Sequence, residues 1–424
     1  MNTSLRPPTI LLTALALVAL LSALPSQGHA LGQWFQPQAK MTTLHTFYRT
    51  DEVGSNPQTG LVLASDEMLY GTTQHPGAVF RFDPKGDAPP EIVCDPGMPP
   101  SGPNGEWELS TLIEGPDGAF YGVSPVMADG LGAVFRCTPG GDLSILHAFE
   151  APEDGLRPVT ELIVGPDNAL YGTTSYTDET TCATVFRLDL DSDFEVLAHV
   201  SQCTLTRNVH AASPLVFGSD GHIYGTFPDE GGDSSVDGYI YRVVDGEVEV
   251  LFIFDEWMEV NYTPMGNGGA FVEVEPGVFW GGRQDEGFWK ATIGESLVSP
   301  RLNQSETRTG WDSTGLVDGG DGWLYGTMKE GALGLGETIS DRIDTYFPVD
   351  YPDGNMHRVN PTTHEYQVLH WFARVPLSQG EAPQAPPTIG PRGALYGTTI
   401  RYGEAEPNMQ RNSGQGTIWE LQLR

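Results

Sequence analysis

The sequence predicts an all-β fold built from one repeated unit, and three observations support this. A motif of the form Leu-Tyr-Gly-Thr-Thr recurs at intervals of about 50 residues along the chain. Each copy lies among four short apolar segments that are separated by tight turns. The 52 Gly and 33 Pro are typical of many short strands joined by turns. Four strands in roughly 50 residues is the period of one blade of a β-propeller.

The motif lies on the second strand of each predicted blade, and its aromatic residue aligns the copies. The aligned residues are Tyr70, Tyr121, Tyr171, Tyr224, Trp280, Tyr325 and Tyr396. The repeat places seven blades at about 58–94, 109–149, 158–201, 213–254, 268–302, 313–372 and 386–423. The sequence therefore predicts a seven-bladed propeller.

Blade two shows the predicted strand order in full. Leu109–Glu114 is its first strand, and Ala119–Val123 follows the tight turn GPDG as the second strand. Gly132–Thr138 is the third strand, and Leu143–Phe149 is the fourth. The same order of strands and turns predicts the other blades.

The two ends of the chain predict how the ring closes. The last unit ends at its third strand, Gly416–Leu423, whereas Met41–Phe47 resembles a fourth strand that has no blade of its own. We therefore expect residues 41–48 to complete the last blade. Closure of this kind also removes an exposed strand edge, which is prone to aggregation.

The repeated motif is interpreted as structural. Side chains alternate along a strand, so Tyr171 and Thr173 share one face while Leu170 and Gly172 share the other. We expect the Tyr to fill the space between blades and the Gly to let the neighbouring blade approach closely. Histidines at one equivalent place of three fourth strands are interpreted as packing residues. They are His45, His147 and His370.

The units resemble the GloVer tandem repeat of exported bacterial proteins. The motif LYGTT matches at Leu69–Thr73, Leu170–Thr174 and Leu395–Thr399, and the VFR segment matches at three third strands: Val79–Arg81, Val134–Arg136 and Val185–Arg187. The resemblance covers nearly the whole mature chain, with strong departures in blades five and six. It implies propeller-like repeats and no established activity.

The N-terminus predicts export. Arg6 precedes the apolar run Ile10–Leu24, and Gly28 and Ala30 occupy the places of a cleavage site. Residues 1–30 are therefore predicted to be a signal peptide, and residues 31–424 a single propeller domain. We expect the mature chain to be secreted or periplasmic, without membrane insertion after cleavage.

Charge excludes one class of partner. The chain has 56 Asp and Glu against 22 Lys and Arg, a net charge of −34. The negative electrostatic field of such a chain repels phosphate backbones, so nucleic-acid binding is not expected. As a separate expectation, we predict that the protein is a monomer.

Four cysteines lie in a chain predicted to reach a compartment that permits disulfides. Cys182 and Cys203 flank one hairpin at near-mirror positions, which predicts a disulfide between them. Cys94 and Cys137 lie in different blades, and the sequence leaves their pairing open.

Loop lengths distinguish the two ends of the predicted ring. First-to-second and third-to-fourth connections are tight and share one end, which we call the turn end. The long second-to-third loops and blade-to-blade connections lie at the other, the loop-bearing end. Ligand sites commonly lie on long loops around an opening, so we expect the site there.

The predicted ligand-binding residues are those that depart most from the repeat in blades four to six. The worst copy of the motif is FWGGR, which ends at Arg283. A set of Arg, carboxylate and Trp suits sugar or peptide recognition, although solvated loop residues are the alternative interpretation. The set comprises Arg283, Asp285, Glu286, Trp311, Asp312, His210 and Lys329.

The sequence favours an exported scaffold that binds a glycan or protein ligand on its loop-bearing face. The first alternative is a polysaccharide-active enzyme such as a lyase, with His210, Tyr262 and Arg283 at the channel mouth. The second is a purely structural envelope protein. No catalytic residue, metal or cofactor is predicted. The run Asp189–Asp193 is interpreted as a hairpin turn because Phe194 stands where a calcium loop needs Gly.

Overall fold

The computed structural model confirms the predicted seven-bladed β-propeller. The structure describes residues 39–48, 51–74, 77–97, 108–150, 153–158, 160–175, 183–199, 214–228, 236–255, 269–283, 287–300, 302, 311–330, 352–373, 382–400 and 414–423. These residues form seven separate antiparallel sheets, in which neighbouring strands follow the chain order except in blades three and seven.

The first four blades each follow the predicted order from first to fourth strand. Blade one consists of Val62–Leu63, Leu69–Gln74, Gly77–Phe82 and Glu91–Cys94, and blade two of Ile113–Glu114, Phe120–Ser124, Ala133–Cys137 and Leu143–Ala148. Blade three consists of Ile163–Val164, Leu170–Ser175, Thr184–Leu188 and Phe194–His199, with Leu156–Pro158 as an additional strand. Blade four consists of Val216–Phe217, Ile223–Pro228, Val236–Val244 and Glu247–Asp255.

The remaining blades complete the ring. Blade five consists of Phe271–Glu275, Val278–Gly282, Phe288–Thr292 and Ser296–Val298, and blade six of Trp311–Asp318, Leu324–Glu330, Pro352–Val359 and Tyr366–Ala373. Blade seven consists of Thr388–Ile389, Ala394–Thr399, Gly414–Leu423 and the N-terminal strand Ala39–Tyr48.

The N-terminal strand completes blade seven. Ala39–Tyr48 pairs antiparallel with Gly414–Leu423, from Ala39 opposite Leu423 to Tyr48 opposite Gly414. Phe47 of this strand is fully buried. Both chain ends therefore share one sheet, as the unmatched fourth strand predicted.

The apolar core is divided among the interfaces between blades. The buried residues of the described part form seven clusters, and each cluster joins two consecutive blades. Phe47 and Tyr396 of blade seven pack with Leu69 of blade one, which closes the circle. Hydrophobic burial thus stabilises the ring as a whole, because no blade buries its two faces alone.

The second strand has the predicted alternation of faces. Leu170 packs toward blade two, whereas Tyr171 packs toward blade four. In blade one, the ring of Tyr70 stacks on Phe120 of blade two with centroids 3.9 Å apart. The aromatic residue of the motif is therefore an inter-blade packing residue.

The expected role of the motif glycine is wrong in one respect. A Cβ added to Gly172 would lie 2.6 Å from Phe186 and 2.8 Å from Leu162, and both belong to the same blade. Phe186 is the residue opposite Gly172 on the third strand. The glycine therefore makes room for a large aromatic side chain of its own blade. It does not serve to let the neighbouring blade approach.

The first threonine of the motif links neighbouring blades around the axis. In three blades its hydroxyl donates to a backbone carbonyl of the next blade, just before that blade's first strand. Thr72 donates to Ser110 at 3.4 Å, Thr327 to Ala385 at 2.9 Å, and Thr398 to Thr59 at 2.8 Å. The motif thus includes part of the inter-blade hydrogen bonding.

The cysteine pairing that the sequence left open is settled for one pair. Cys94 on the outer strand of blade one and Cys137 on the third strand of blade two form a disulfide. Both residues are fully buried between the two blades. Cys182 and Cys203 lie outside the described residues, so their predicted disulfide stays a prediction.

Candidate functional site

The strand directions identify the end at which the candidate site lies. Each first strand runs toward a tight turn, and the second strand returns from it. The residues before the first strands and the last residues of the second strands therefore share the loop-bearing end. Around the axis, this end carries an opening that we call the axial cavity.

The axial cavity has a volume of about 190 Å³ and is lined by six of the seven blades. In a propeller, residues from so many blades come together only around the ring axis. The cavity therefore lies at the central channel. Most of its lining comes from the short segments that precede the first strands. The lining residues are Gln58, Thr59, Gln74, Leu109, Ser110, Thr111, Thr160, Glu161, Pro214, Thr314, Gln384, Ala385 and Pro386.

The hydroxyl groups of the lining hold the scaffold together. Thr160 shares a hydrogen bond of 2.8 Å with Thr173 of its own blade, and Thr314 shares one of 2.7 Å with Thr327. The Ser110 hydroxyl donates to the carbonyl of Thr111 and accepts the N–H of Val123, both at 2.9 Å. These hydroxyl groups already form hydrogen bonds within the protein, so their main role is to hold the cavity lining in place.

Glu161 is the one ionisable residue among the described residues that line the cavity. The residue is only partly exposed, and burial raises the pKa of its carboxyl above the usual value. A hydrogen bond from Thr111 opposes the rise in the pKa of Glu161 by favouring the ionised form. Thr111 also accepts the N–H of Gly60 from blade one at 3.1 Å, so its own proton is available for the carboxylate.

The sequence contained a signal for Glu161 that our motif-based prediction did not use. The residue ten places before the motif aromatic is small or apolar in five blades and Thr in blade two, and only in blade three is it charged. When one blade has a charged residue at a position that is uncharged in the other blades, the charge indicates a role beyond packing. The other six copies are Gly60, Thr111, Pro214, Ala270, Gly315 and Pro386.

The structure describes the side chains of two of the predicted ligand-binding residues. Arg283 and Lys329 are both buried, and neither lines the axial cavity. The Arg283 guanidinium donates to the Ser299 hydroxyl at 3.1 Å. The Arg283 side chain thus contacts its own blade, while its backbone carbonyl accepts the N–H of Ser313 in blade six at 3.1 Å.

The other predicted site residues stay predictions. Trp311 and Asp312 begin the first strand of blade six, but their side chains are not described. Asp285, Glu286, His210 and the lyase candidate Tyr262 lie outside the described residues. Convergence of His210, Tyr262 and Arg283 is therefore untested.

Two other polar motifs have structural roles. Asp189 accepts the backbone N–H groups of Asp191 and Asp193, which confirms the hairpin-turn interpretation of this acidic run. His147 stacks on Phe194 with ring centroids 3.8 Å apart and lies 3.1 Å from Asp154. Burial lowers the pKa of His147, which supports its role as a packing residue.

Within the described ranges, no group of three or more His, Cys, Asp or Glu residues is arranged to hold a metal ion. In the same part of the chain, no helix has the length and apolarity needed to cross a bilayer.

Sequence comparison identifies the repeat. The model of the Gloeobacter/Verrucomicrobia repeat matches residues 31–232 and 77–292, which together span more than half of the chain. The chain belongs to this repeat family. The family assignment confirms the resemblance seen in the motifs. No curated protein shows significant similarity to the sequence.

Solved structures with a similar architecture have little sequence in common with this repeat protein. An aldose sugar dehydrogenase from Streptomyces coelicolor is 13% identical, with a TM-score of 0.41 and coverage of 91% of this chain and 99% of that one. A periplasmic gluconolactonase from Pseudomonas aeruginosa is 13% identical, with a TM-score of 0.44 and the same coverage. Similarities this weak carry no argument about activity.

Proposed function

We propose that the protein is an exported, non-enzymatic scaffold that binds a small glycan unit in the axial cavity. The observation that carries the proposal is the cavity itself, which lies at the loop-bearing end and is lined mainly by polar residues. A cavity of about 190 Å³ has the size of a small-molecule site, so it suits a single sugar ring better than a folded partner.

Several features support export and a solitary scaffold. The Cys94–Cys137 disulfide is compatible with an extracellular or periplasmic location, and the N-terminal sequence resembles a signal peptide. The net charge of −34 disfavours nucleic acid as a partner. We infer that the mature chain acts as a monomer.

Binding is favoured over the lyase alternative by the chemistry of the cavity. A lyase needs a base, an acid and a group that neutralises a uronate carboxylate. Among the described residues that line the axial cavity, Glu161 alone is ionisable, and its charge has the wrong sign for neutralising a carboxylate. This part of the lining therefore supports recognition of a sugar better than elimination from one.

The proposal is tested with a variant that fills the cavity. Ala385 lines the opening and is only partly exposed, so Ala385→Phe places a ring in the space that a ligand needs. We expect mature wild-type protein to bind mono- or oligosaccharides in calorimetric titrations and Ala385→Phe to lose that binding. Ala148→Phe, at an exposed position on the outer strand of blade two, is the matched control and keeps the binding.

Two results contradict the proposal. Equal binding by Ala385→Phe and wild type would place the ligand elsewhere on the molecule. Depolymerisation of an acidic polysaccharide by the wild-type protein would favour the enzyme alternative.

A further inference from the structure

The polar groups of the axial cavity differ in how much hydrogen-bonding capacity they keep. Thr59, Thr160 and Thr314 each share a hydrogen bond with a threonine of the second strand in their own blade. The Gln74 amide donates to Gln58 at 2.8 Å. Because these neutral groups already form hydrogen bonds within the protein, they define the shape of the cavity more than they attract a ligand.

Glu161 is the exception. A carboxylate accepts hydrogen bonds at about four lone-pair positions, and the described contact of Glu161 is the single one from Thr111. Thr111 belongs to the neighbouring blade two, and the backbone N–H of Gly60 in blade one donates in turn to the Thr111 hydroxyl. The cavity therefore presents one carboxyl acceptor with spare hydrogen-bonding capacity, beside a threonine that is itself held in place.

The charge of this acceptor has no counterpart among the described residues of the cavity lining. Those residues include no Lys, Arg or His, and Glu161 is the only titratable one of them. A partly buried carboxylate with no opposite charge beside it is destabilised in its ionised form, so it favours taking up either a proton or a cation. A ligand that brings a positive charge to the site removes this destabilisation, whereas a neutral ligand does not.

We propose that the axial cavity selects a sugar unit that carries a protonated amine, whose ammonium group pairs with Glu161. This inference rests on the proposed glycan binding and names the class of glycan. An ammonium group offers three donors to an acceptor-rich cavity and gains a charge-assisted hydrogen bond. Ca²⁺ is the less suitable cation, because it takes six to eight oxygen ligands and Glu161 supplies the single carboxylate among the described lining residues.

Proton competition follows from the same arrangement. Glu161 binds the ammonium group only in its ionised form, so acidification weakens binding as the carboxyl takes up a proton. In the described parts of the six contributing blades, no other titratable side chain lines the cavity. The pH dependence of binding below neutrality therefore reports on Glu161.

The test compares three sugars that differ at one substituent. Glucosamine, N-acetylglucosamine and glucose are titrated calorimetrically into mature wild-type protein at pH 7, with NaCl and CaCl₂ as separate probes. We expect glucosamine to bind at least about 10-fold more tightly than the two neutral sugars, because only its ammonium group forms a charge-assisted hydrogen bond with Glu161. The Glu161→Gln variant loses this preference.

Matched controls separate the role of Glu161 from general charge effects. Glu195→Gln removes the same charge from an exposed position on the outer strand of blade three, so it keeps the preference for glucosamine. Circular dichroism and thermal melting show whether each variant is folded. Lowering the pH from 7 to 5 weakens glucosamine binding to the wild type and leaves Glu161→Gln unchanged.

Different failures have different meanings. Equal affinity for glucose and glucosamine overturns the selection of an amine and leaves the proposed glycan binding intact. Glu161-dependent binding of Ca²⁺ without binding of glucosamine overturns it in favour of a metal site. Binding of none of the three sugars overturns this inference, and failure of a wider set of glycans overturns the proposed function as well.

Discussion

At the scale of the residue, the motif glycine determines which aromatic ring fits inside a blade. The position of a Cβ on Gly172 is taken by Phe186, the residue opposite it on the third strand. The same relation pairs Gly71 with Phe80 and Gly122 with Phe135. A hydrogen atom at one strand position thus makes room for a large side chain on its neighbour.

Substitution of Gly172 tests this relation. Gly172→Ala inserts a methyl group 2.6 Å from the Phe186 ring, so overpacking is expected to lower the free energy of unfolding by about 1–3 kcal/mol. Chemical denaturation measures the change. Gly140→Ala, at an exposed turn where the nearest atom lies 3.6 Å away, is the control, and an equal loss in both variants would contradict the explanation.

Glu161 is expected to make stability depend on pH. Its pKa is raised by burial, so the folded chain holds the proton more tightly than the unfolded chain, whose Glu has a pKa of about 4.3. The stabilisation is therefore present below that value and is lost as the pH rises through the folded pKa.

The Glu161→Gln variant lacks this dependence because an amide does not ionise. We expect it to match the wild type at pH 4 and to melt roughly 1–3 °C higher at pH 8. Differential scanning calorimetry at both pH values provides the measurement, with Glu195→Gln as the exposed control. Equal destabilisation at pH 4 and pH 8 would show that Glu161 is needed only for packing.

At the scale of the element, the tight turn and the second strand form one hydrogen-bonded unit. The Tyr224 hydroxyl donates to Asp220 of the preceding turn at 2.8 Å, and Asp220 also accepts the N–H of His222. The same Asp–Tyr pair recurs in blades one, two, three and six. In blade seven the turn has Arg392 instead, and Tyr396 bonds to Glu420. The turn residues and the motif are therefore interdependent.

Two tyrosines of blade four allow the contribution of this hydrogen bond to stability to be distinguished from the contribution of burial. Burial raises the pKa of both hydroxyls, to about 12 for Tyr224, and the Tyr241 hydroxyl has no hydrogen-bond partner in the described structure. Tyr224→Phe is expected to lose about 1 kcal/mol of unfolding free energy, whereas Tyr241→Phe is neutral or stabilising. Urea denaturation distinguishes them, and an equal loss in both would refute the account.

At the scale of the whole molecule, the ring is held closed by packing between every pair of blades and by strand pairing between the chain ends. The Cys94–Cys137 disulfide adds a covalent link between blades one and two. It spans 43 residues, so it restricts the unfolded chain over most of one blade. Ring closure and the cross-link act on the same cooperative structure.

Removal of the disulfide measures this contribution. In the Cys94→Ala/Cys137→Ala variant, the freed chain entropy of the unfolded state is expected to cost about 2–4 kcal/mol. The melting temperature falls accordingly, and reductant lowers that of the wild type but changes this variant far less. Identical melting of the variant and the wild type would contradict the prediction.

Prediction from sequence succeeded where the signal is periodic and failed where it depends on distant contacts. The seven aligned copies of the motif, from Tyr70 to Tyr396, were sufficient to predict the number of blades, and the unmatched strand at 41–48 was sufficient to predict how the ring closes. The sequence could not predict the pairing of Cys94 with Cys137, because these residues lie in different blades that meet only through the packing of two sheets. Gly172 was assigned to the wrong neighbour since alternation gives the face of a residue but not what lies against it.

The sequence by itself determined the architecture of this protein: an all-β ring of seven repeated blades whose missing strand is supplied by the N-terminus. Local strand patterns and turn chemistry recur often enough along the chain to define that ring. Only the tertiary structure decided that Glu161 faces a cavity shared by six blades, that it bonds to Thr111, and that Gly60 in turn bonds to Thr111. These residues meet because the ring closes, and closure brings together positions that are far apart in the chain.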